Sequence, residues 1–216
     1  MGRDRWAWRF DNRQKQIRRT KDYWRMITGV DRALARILSS LQENGFEDNT
    51  VIVFTSDNGY FLGERGLAGK WLIYEESIRV PLIVVDPNQP KERRGVTNDK
   101  IVLNTDIAPT LLELAGVQPP PGYEGESVMP LVTGREVEWR SDFLYEHRFD
   151  NNDIPKSQGV RGERWVYARF DEQEPIYEQL FDLQTDPEEL HNLAEDPKFL
   201  AILQQQRRRC DELLNE

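Results

Sequence analysis

The sequence predicts an α/β protein: part of a doubly wound sheet layer, followed by a small antiparallel sheet with one covering helix. Three observations carry this expectation. An apolar stripe at helical spacing leads through a short loop into a continuous β-branched run, which is half of a doubly wound unit. A second apolar run and a second helical segment then follow. The last third changes character, to short runs of alternating side-chain type bounded by turn residues. The boundaries are a basic lead-in over 1–22, the α/β layer over 23–140 and the antiparallel subdomain over 141–216.

Each element has its own signal. Tyr23, Met26, Ile27, Val30, Leu34, Ile37, Leu38 and Leu41 recur at steps of three and four, and Asn44-Gly45 supplies the stop. Thr50-Val-Ile-Val-Phe-Thr55 is apolar on both faces, as a strand of a parallel sheet covered above and below would be. A second buried strand is expected over 80–85, ended by Asp86-Pro87. Thr105-Asp106 opens a helix that carries Pro109 early and stops at Gly116. Pro119-Pro120-Pro121-Gly122 breaks regular structure. In the tail, 142–146, 164–170 and 177–182 read as strands, the last two with the alternation of one-sided strands, and Asp186-Pro187 reads as a turn. Asp196-Pro197 gives an N-cap and an N1 proline to a final helix in which Leu200, Leu203, Arg207, Cys210 and Leu214 line up.

Composition narrows the function classes. The chain has 216 residues, 38% of them apolar, with six Trp, seven Tyr and nine Phe, enough bulk for a real core. No window approaches eighteen consecutive apolar residues, so no transmembrane helix is expected, and the first ten residues lack the apolar stretch of a secretory signal. Cys210 is the one cysteine, which excludes an internal disulfide and a multi-cysteine zinc site and is compatible with either redox environment. Residues 1–25 carry nine Lys/Arg against Asp4, Asp11 and Asp22, a net +6 that leaves −15 for the rest of a chain whose total is −9. Trp6, Trp8 and Phe10 interleave those basic residues, as in proteins that stack on bases while gripping phosphates. The acidic remainder repels a phosphate backbone, so no nucleic-acid partner is expected.

Chemistry is expected at Ser56-Asp57-Asn58-Gly59. Ligands of open α/β sheets bind beyond the carboxyl ends of the strands, where Asp57 and Asn58 stand. An anionic oxygen from Asp57 and an amide oxygen from Asn58 suit a hard cation, Ca²⁺ or Mg²⁺, rather than zinc. Lys70, in the loop beyond, can place an ammonium on an anion held by that metal. Asp-Asn-Gly is equally ordinary turn chemistry, so the residues alone leave both readings open. Glu75-Glu76, Asp171-Glu172 and Glu188-Glu189 read as solvated faces, and His191 as a surface residue.

Longer stretches resolve that ambiguity by resemblance. Asp48-Asn-Thr-Val-Ile-Val-Phe-Thr-Ser-Asp-Asn-Gly59, Leu62-Gly-Glu-Arg-Gly66, Lys70 and Tyr74-Glu-Glu-Ser-Ile-Arg-Val-Pro-Leu-Ile83 resemble the C-terminal half of a sulfatase of the alkaline phosphatase superfamily. So do Leu103-Asn-Thr-Asp-Ile-Ala-Pro-Thr-Leu-Leu-Glu-Leu-Ala-Gly116 and Leu180-Phe-Asp-Leu-Gln-Thr-Asp-Pro187 with Glu189 and Asn192-Leu-Ala194. The resemblance covers roughly residues 20–216. It implies an alkaline phosphatase-like sheet layer and hydrolysis of a sulfate ester, with a sulfated small molecule or sulfated carbohydrate as substrate. Position by position, Asp57 and Asn58 match the family's metal-binding pair, and Lys70 matches the lysine that contacts the sulfate. A divalent cation and a Lys stabilise the negative charge that builds on the ester oxygens. Arg65 stands where many members have His in Gly-Glu-His-Gly, which makes it a candidate substrate contact. His147, in Phe143-Leu-Tyr-Glu-His147-Arg148, lies in a stretch that resembles one approaching the substrate pocket, and could bind a sugar hydroxyl or a carboxylate; the plain alternative is a structural His at a strand end. Arg79 is expected to pair with Glu75 or Glu76.

Departures from the family pattern matter as much. Sulfatases use a formylglycine made from Cys/Ser-x-Pro-x-Arg, together with further metal-binding aspartates, all in the N-terminal half. Neither occurs here, and Cys210 in Arg207-Arg-Arg-Cys210-Asp-Glu lacks the required Pro and Arg. The chain alone is therefore expected to be inactive, as a truncated gene product or a fragment. A phosphodiesterase or phosphonate hydrolase of the same superfamily is one alternative, and a non-catalytic pseudoenzyme or binding module is another. Exposed sheet edges in half a domain favour self-association.

Overall fold

The computed structural model describes residues 2–150 and 154–216 and divides the chain into two compact units. One takes Met1–Ile27, Asn58–Val80 and Ser141–Glu216, the other Thr28–Asp57 and Pro81–Arg140. Among the described residues no helix is long and apolar enough to cross a membrane.

The expected lead-in is helical. α1 (Gly2–Phe10) and α2 (Arg13–Glu43) take up nearly all of residues 2–43, so the long helix starts ten residues before its apolar stripe does. Asn12 Oδ1 accepts the Lys15 amide at 3.0 Å in the manner of an N-cap, and Lys15 reaches back to Asp11 while Arg18 and Arg25 flank Asp22. Local charge and capping make this helix, because no residue of α2 is buried. α1 is anchored in the first unit by Phe10, which is buried, and by an Arg9 hydrogen bond to the Tyr60 hydroxyl at 2.8 Å.

The four-stranded antiparallel meander β5 (Asp142–His147), β6 (Ser157–Gly162), β7 (Trp165–Phe170) and β8 (Tyr177–Asp182) is the centre of the first unit. The sequence reading found three of these strands and missed β6. Ser-Gln-Gly-Val-Arg-Gly has one large apolar residue, and Gly159 is needed there: a Cβ would stand 2.0 Å from the Tyr167 carbonyl oxygen. Side-chain alternation assigns the two faces. Val160, Tyr167 and Leu180 meet Leu203 and Cys210 of α6 (Leu200–Leu213), the expected single helix. Val166, Ala168, Phe170 and Phe181 meet Phe61, Ile73 and Tyr74. The sheet is thus covered on both sides, and its second cover is the loop-rich segment 58–80. Asp196 caps the turn before α6 by accepting the Lys198 amide at 2.9 Å. Leu200, placed in the apolar line by spacing, is half exposed, and the buried line runs through Leu203, Gln206 and Cys210.

In the second unit β1 (Ile52–Thr55) pairs with β4 (Leu82–Val85), and the pair is antiparallel, with Ile52 opposite Val85 and Thr55 opposite Leu82. The parallel geometry expected from the β-branched run is therefore corrected, and so is its full burial: β1 is half-buried along its length, and β4 only at Leu82 and Val84. Val53, Leu82 and Val84 face Ile107, Thr110 and Val128 across a narrow apolar gap, bringing α4 (Ile107–Leu114) onto one side of the pair. On the other side Ile83 and Val85 are exposed. Asp106, fully buried just before α4, organises this unit. It accepts the Leu103 and Glu126 amides, each at 2.8 Å, and both Arg140 guanidinium nitrogens at 2.5 and 2.8 Å. Thr110 continues the network, donating to the Asp106 carbonyl at 2.6 Å and accepting the Val128 amide at 2.9 Å. The short α5 (Met129–Thr133) follows and ends at Gly134 in the left-handed region.

Candidate functional site

The segment 58–80 owes its shape to backbone conformations that most residues avoid. Gly63, Gly66 and Gly69 have φ of 115°, 66° and 102°, and they allow the tight return of β2 (Phe61–Leu62) onto β3 (Ala68–Gly69). Two non-glycine residues join them in that region, Arg65 at φ 56° and Trp71 at φ 104°. Such conformations persist where the surroundings over-determine them, and they cluster at ligand sites. α3 (Glu75–Ile78) closes the segment.

Asp57 follows β1 at its carboxyl end, exposed, with the Ser56 hydroxyl 3.5 Å from its Oδ1. Asn58, its neighbour along the chain, is turned inward. Its Nδ2 donates to the Gly59 carbonyl at 2.7 Å and its Oδ1 accepts from Lys70 Nζ. Gly59 fixes the position: its amide donates to the Ser77 carbonyl at 2.8 Å, and a Cβ there would lie 2.2 Å from the Glu76 carbonyl oxygen. Lys70 and Asn58, twelve residues apart, are thereby brought into contact. Lys70 Nζ also sits 5.4 Å from the centre of the Trp71 ring.

His147 lies at the end of β5, buried, with its ring 5.4 Å from the Trp71 indole in an edge contact. Both ring nitrogens lack a hydrogen-bond partner, as do Trp71 Nε1 and the hydroxyl of Ser157, the residue directly opposite His147 across the β5–β6 ladder. Directly opposed residues of antiparallel strands share a face. Buried polar atoms left undonated are uncommon and call for a cause. Phe149 stacks on Trp71 with ring centres 6.2 Å apart, and Tyr145, whose hydroxyl donates to the Trp71 carbonyl at 2.9 Å, is pushed up to about 12 by burial. Neither Trp71 nor Ser157 was singled out from the sequence; the pattern Lys70-Trp71 carried no spacing signal.

Arg65 is engaged within the protein. Its guanidinium donates to the Glu189 carbonyl at 2.6 Å and to the Glu188 carbonyl, lies 3.4 Å from Glu76 Oε1, and stacks on the Tyr74 ring at 4.2 Å. The glutamates expected on solvated faces are also engaged. Glu75 takes both guanidinium nitrogens of Arg161 at 3.0 and 3.1 Å, and Glu189 is fully buried with its Oε2 accepting the Glu75 amide at 2.9 Å. Arg79 does pair with Glu75, at 3.7 Å on the surface. His191 is exposed beside Asp186, and Cys210 is buried with its thiol pushed up to about 11, which makes it inert.

Among the described residues no three His, Cys, Asp or Glu side chains gather as a metal cluster. Two hard oxygens, the Asp57 carboxylate and the Asn58 amide, fit Ca²⁺ or Mg²⁺ in kind, as part of a shell of six or more.

Two family models match the chain: "Sulfatase" over residues 3–117, and "N-sulphoglucosamine sulphohydrolase, C-terminal" over residues 63–216. An N-acetylglucosamine-6-O-sulfatase of Bacteroides thetaiotaomicron is 34% identical over 179 residues, which are 80% of this chain and 31% of that protein. A structure solved with its substrate D-glucosamine-2-N,6-O-disulfate superposes with a TM-score of 0.78 at 30% identity, covering 86% of this chain and 38% of the other. The phosphonate monoester hydrolase of Agrobacterium radiobacter superposes with a TM-score of 0.80 at 29% identity, covering 89% and 40%. The chain spans between 31% and 38% of the length of these first curated relatives. Motif, fold and both family models agree: this chain belongs to the sulfatase family.

Proposed function

We propose that this chain carries the sulfate-gripping part of a sulfatase that acts on a sulfated carbohydrate, and that it belongs with a further part of the catalytic domain that supplies the nucleophile. The observation that supports this most is the contact of Lys70 Nζ with Asn58 Oδ1, which gathers a cation and a metal-type oxygen at one place. Asp57 and Asn58 would help to hold a divalent cation, which would withdraw charge from the ester oxygens, and the further part of the domain would supply a formylglycine as nucleophile. Lys70 would neutralise an equatorial sulfate oxygen, since a fixed ammonium placed where charge develops lowers the barrier without reorganisation. Trp71 holds Lys70 to one side through its ring face. His147, with both nitrogens undonated beside that indole, is suited to a sugar hydroxyl or a carboxylate of the substrate. Arg65 would act on the substrate through the segment it braces, because its Nη1 and Nη2 already donate to carbonyls.

The exposed apolar faces support the second half of the proposal. Met26, Val30 and Ile37 of α2 and Ile83 and Val85 of β4 are at least half exposed, and they are the surfaces that a further part of the domain, or a second copy of this chain, would cover. A second reading, phosphonate monoester hydrolysis, is favoured by the second of the structural neighbours and by the shared tetrahedral geometry of the two anions. A chimera tests both. This chain replaces the matching region of the Bacteroides thetaiotaomicron enzyme, and hydrolysis of N-acetylglucosamine 6-sulfate is compared with that of a phosphonate monoester. Sulfate turnover that Lys70→Ala reduces by about 10² or more supports the proposal. Turnover of the phosphonate alone would replace it with the second reading.

A further inference from the structure

Segment 63–78 presents Lys70 at its middle, and both of its ends are held by one turn of the chain, Glu188–Glu189. At one end Arg65 donates to the Glu188 and Glu189 carbonyls. At the other the Glu75 amide, an unsatisfied donor at the start of α3, is accepted by Glu189 Oε2 at 2.9 Å. Glu189 itself is fully buried and sits at φ 50°, a costly conformation for a glutamate. Its charged surroundings are poor in cations. Arg65 Nη2 stands 3.7 Å from Glu189 Oε2 and 3.4 Å from Glu76 Oε1, so one guanidinium serves two carboxyl groups. Glu75, the third carboxylate, is taken by Arg161 and Arg79. Tyr74 completes the set, with Arg65 stacked on its ring. Glu189 Oε1 and Glu76 Oε2 are both buried and both without a donor.

We propose that Glu189 is the positioning residue for the Lys70 segment, and that it is a clamp closed by a proton: neutral Glu189 holds both ends of segment 63–78, and ionised Glu189 favours its opening. The part that concerns Lys70 rests on the function proposed above. A buried carboxyl with a bare oxygen and two like-charged neighbours keeps its proton. Neutral Glu189 still accepts the Glu75 amide through its carbonyl oxygen. Burial, the largest cause, with Glu75 and Glu76 adding to it, raises this carboxyl from its ordinary value to about 7, against the lowering pull of the Glu75 amide and Arg65. The sign follows. When the segment opens, Glu189 returns to the ordinary value near 4.5, so the closed form binds more protons than the open one between about 4.5 and 7. Closure weakens as pH rises through that window and is level above it.

The test is amide exchange of peptides covering 63–78 in the full chain between pH 5 and pH 8, corrected for intrinsic rates, with the β7 peptide as internal control. Protection should fall by up to tenfold for each pH unit across the window, about 10²-fold in all, while β7 does not follow it. Glu189→Gln, a neutral residue with the same carbonyl acceptor, should keep the acid-form protection at every pH. Glu189→Ala should lose it at every pH. Wild-type protection that is flat with pH, or that rises, overturns the proton-linked clamp even if Glu189→Ala is poorly folded. Protection in Glu189→Gln that still falls with pH assigns the titration to another group and overturns it equally. Lys70→Ala separates the two proposals: it should leave the exchange profile unchanged while removing sulfate binding.

Discussion

Replacing Gly59 by alanine should unseat the candidate site at its base. The new Cβ would lie 2.2 Å from the Glu76 carbonyl oxygen, 2.9 Å from its carbon and 3.1 Å from the Ser77 carbon. All three are backbone atoms of α3, so no rotamer change relieves the contact. Either α3 or residues 58–59 must move, and the 2.8 Å hydrogen bond from the Gly59 amide to Ser77 is lost with it. Overpacking of a tight site costs about 1–3 kcal/mol and the hydrogen bond about 1 kcal/mol more, giving roughly 2–4 kcal/mol. Two other glycines calibrate the measurement. Gly66 has open space around it but a φ of 66°, so Gly66→Ala should cost only about 1 kcal/mol. Gly29, within α2 and with nothing nearby, should become about 0.5–1 kcal/mol more stable as alanine. Urea unfolding followed by tryptophan fluorescence ranks the three. A Gly59→Ala chain within 0.5 kcal/mol of wild type would refute the close packing of residues 58–59 on α3.

Four further outcomes follow from the same structure. Removing Arg140 leaves the buried Asp106 carboxylate without its cation, and Arg140→Ala should destabilise the second unit by about 3–5 kcal/mol in the same assay. The carboxyl of Glu178 is held below its usual range, first by Arg207 and also by the Tyr167 hydroxyl; its contribution is full above about pH 4.5 and is lost as pH falls through the depressed native value. Glu178→Gln should therefore flatten acid unfolding below about pH 4.5, and an unchanged acid transition contradicts the pairing. The purified chain should not hydrolyse an aryl sulfate, and turnover that vanishes in Cys210→Ala would show that the buried thiol is a nucleophile after all. The open apolar faces of α2 and β4 should bind a hydrophobic dye or join chains in native mass measurement; a dye-silent monomer contradicts the missing cover.

What the sequence disclosed depended on how local the cause was. β7 and β8 are set by alternation, and α4 and α6 by caps and spacing, so they were legible to within about three residues, the largest miss being the tight turn 197–199 that precedes α6. β6 was not, because a strand held by ladder partners on both sides can use Ser157, Gln158 and Gly159, and Gly159 is chosen by the approach of Tyr167. The antiparallel direction of β1 and β4 left no mark in an apolar run that reads the same both ways. At the candidate site Asp57, Asn58 and Lys70 were named from resemblance, but the return of Lys70 onto Asn58 depends on Gly63, Gly66 and Gly69 at positive φ. Glu189 was hidden altogether. An acidic pair near Asp-Pro reads as surface, and its burial is decided by Arg65 and Glu75, more than a hundred residues earlier.

The proposed grip of Asp57, Asn58 and Lys70 on a metal and a sulfate is open to direct observation. Calcium is titrated into the isotope-labelled chain alone and then inorganic sulfate is added, while the Asn58 side-chain amide and the Lys70 ammonium are followed by NMR. Because two oxygens are only part of a shell of about six, calcium should bind no more tightly than about 10⁻⁴ M. Sulfate should then shift both side chains in the millimolar range, and Lys70→Ala should abolish the Asn58 response to sulfate while leaving its response to calcium. Sub-micromolar calcium binding, or a sulfate response that Lys70→Ala leaves intact, would contradict the proposed grip.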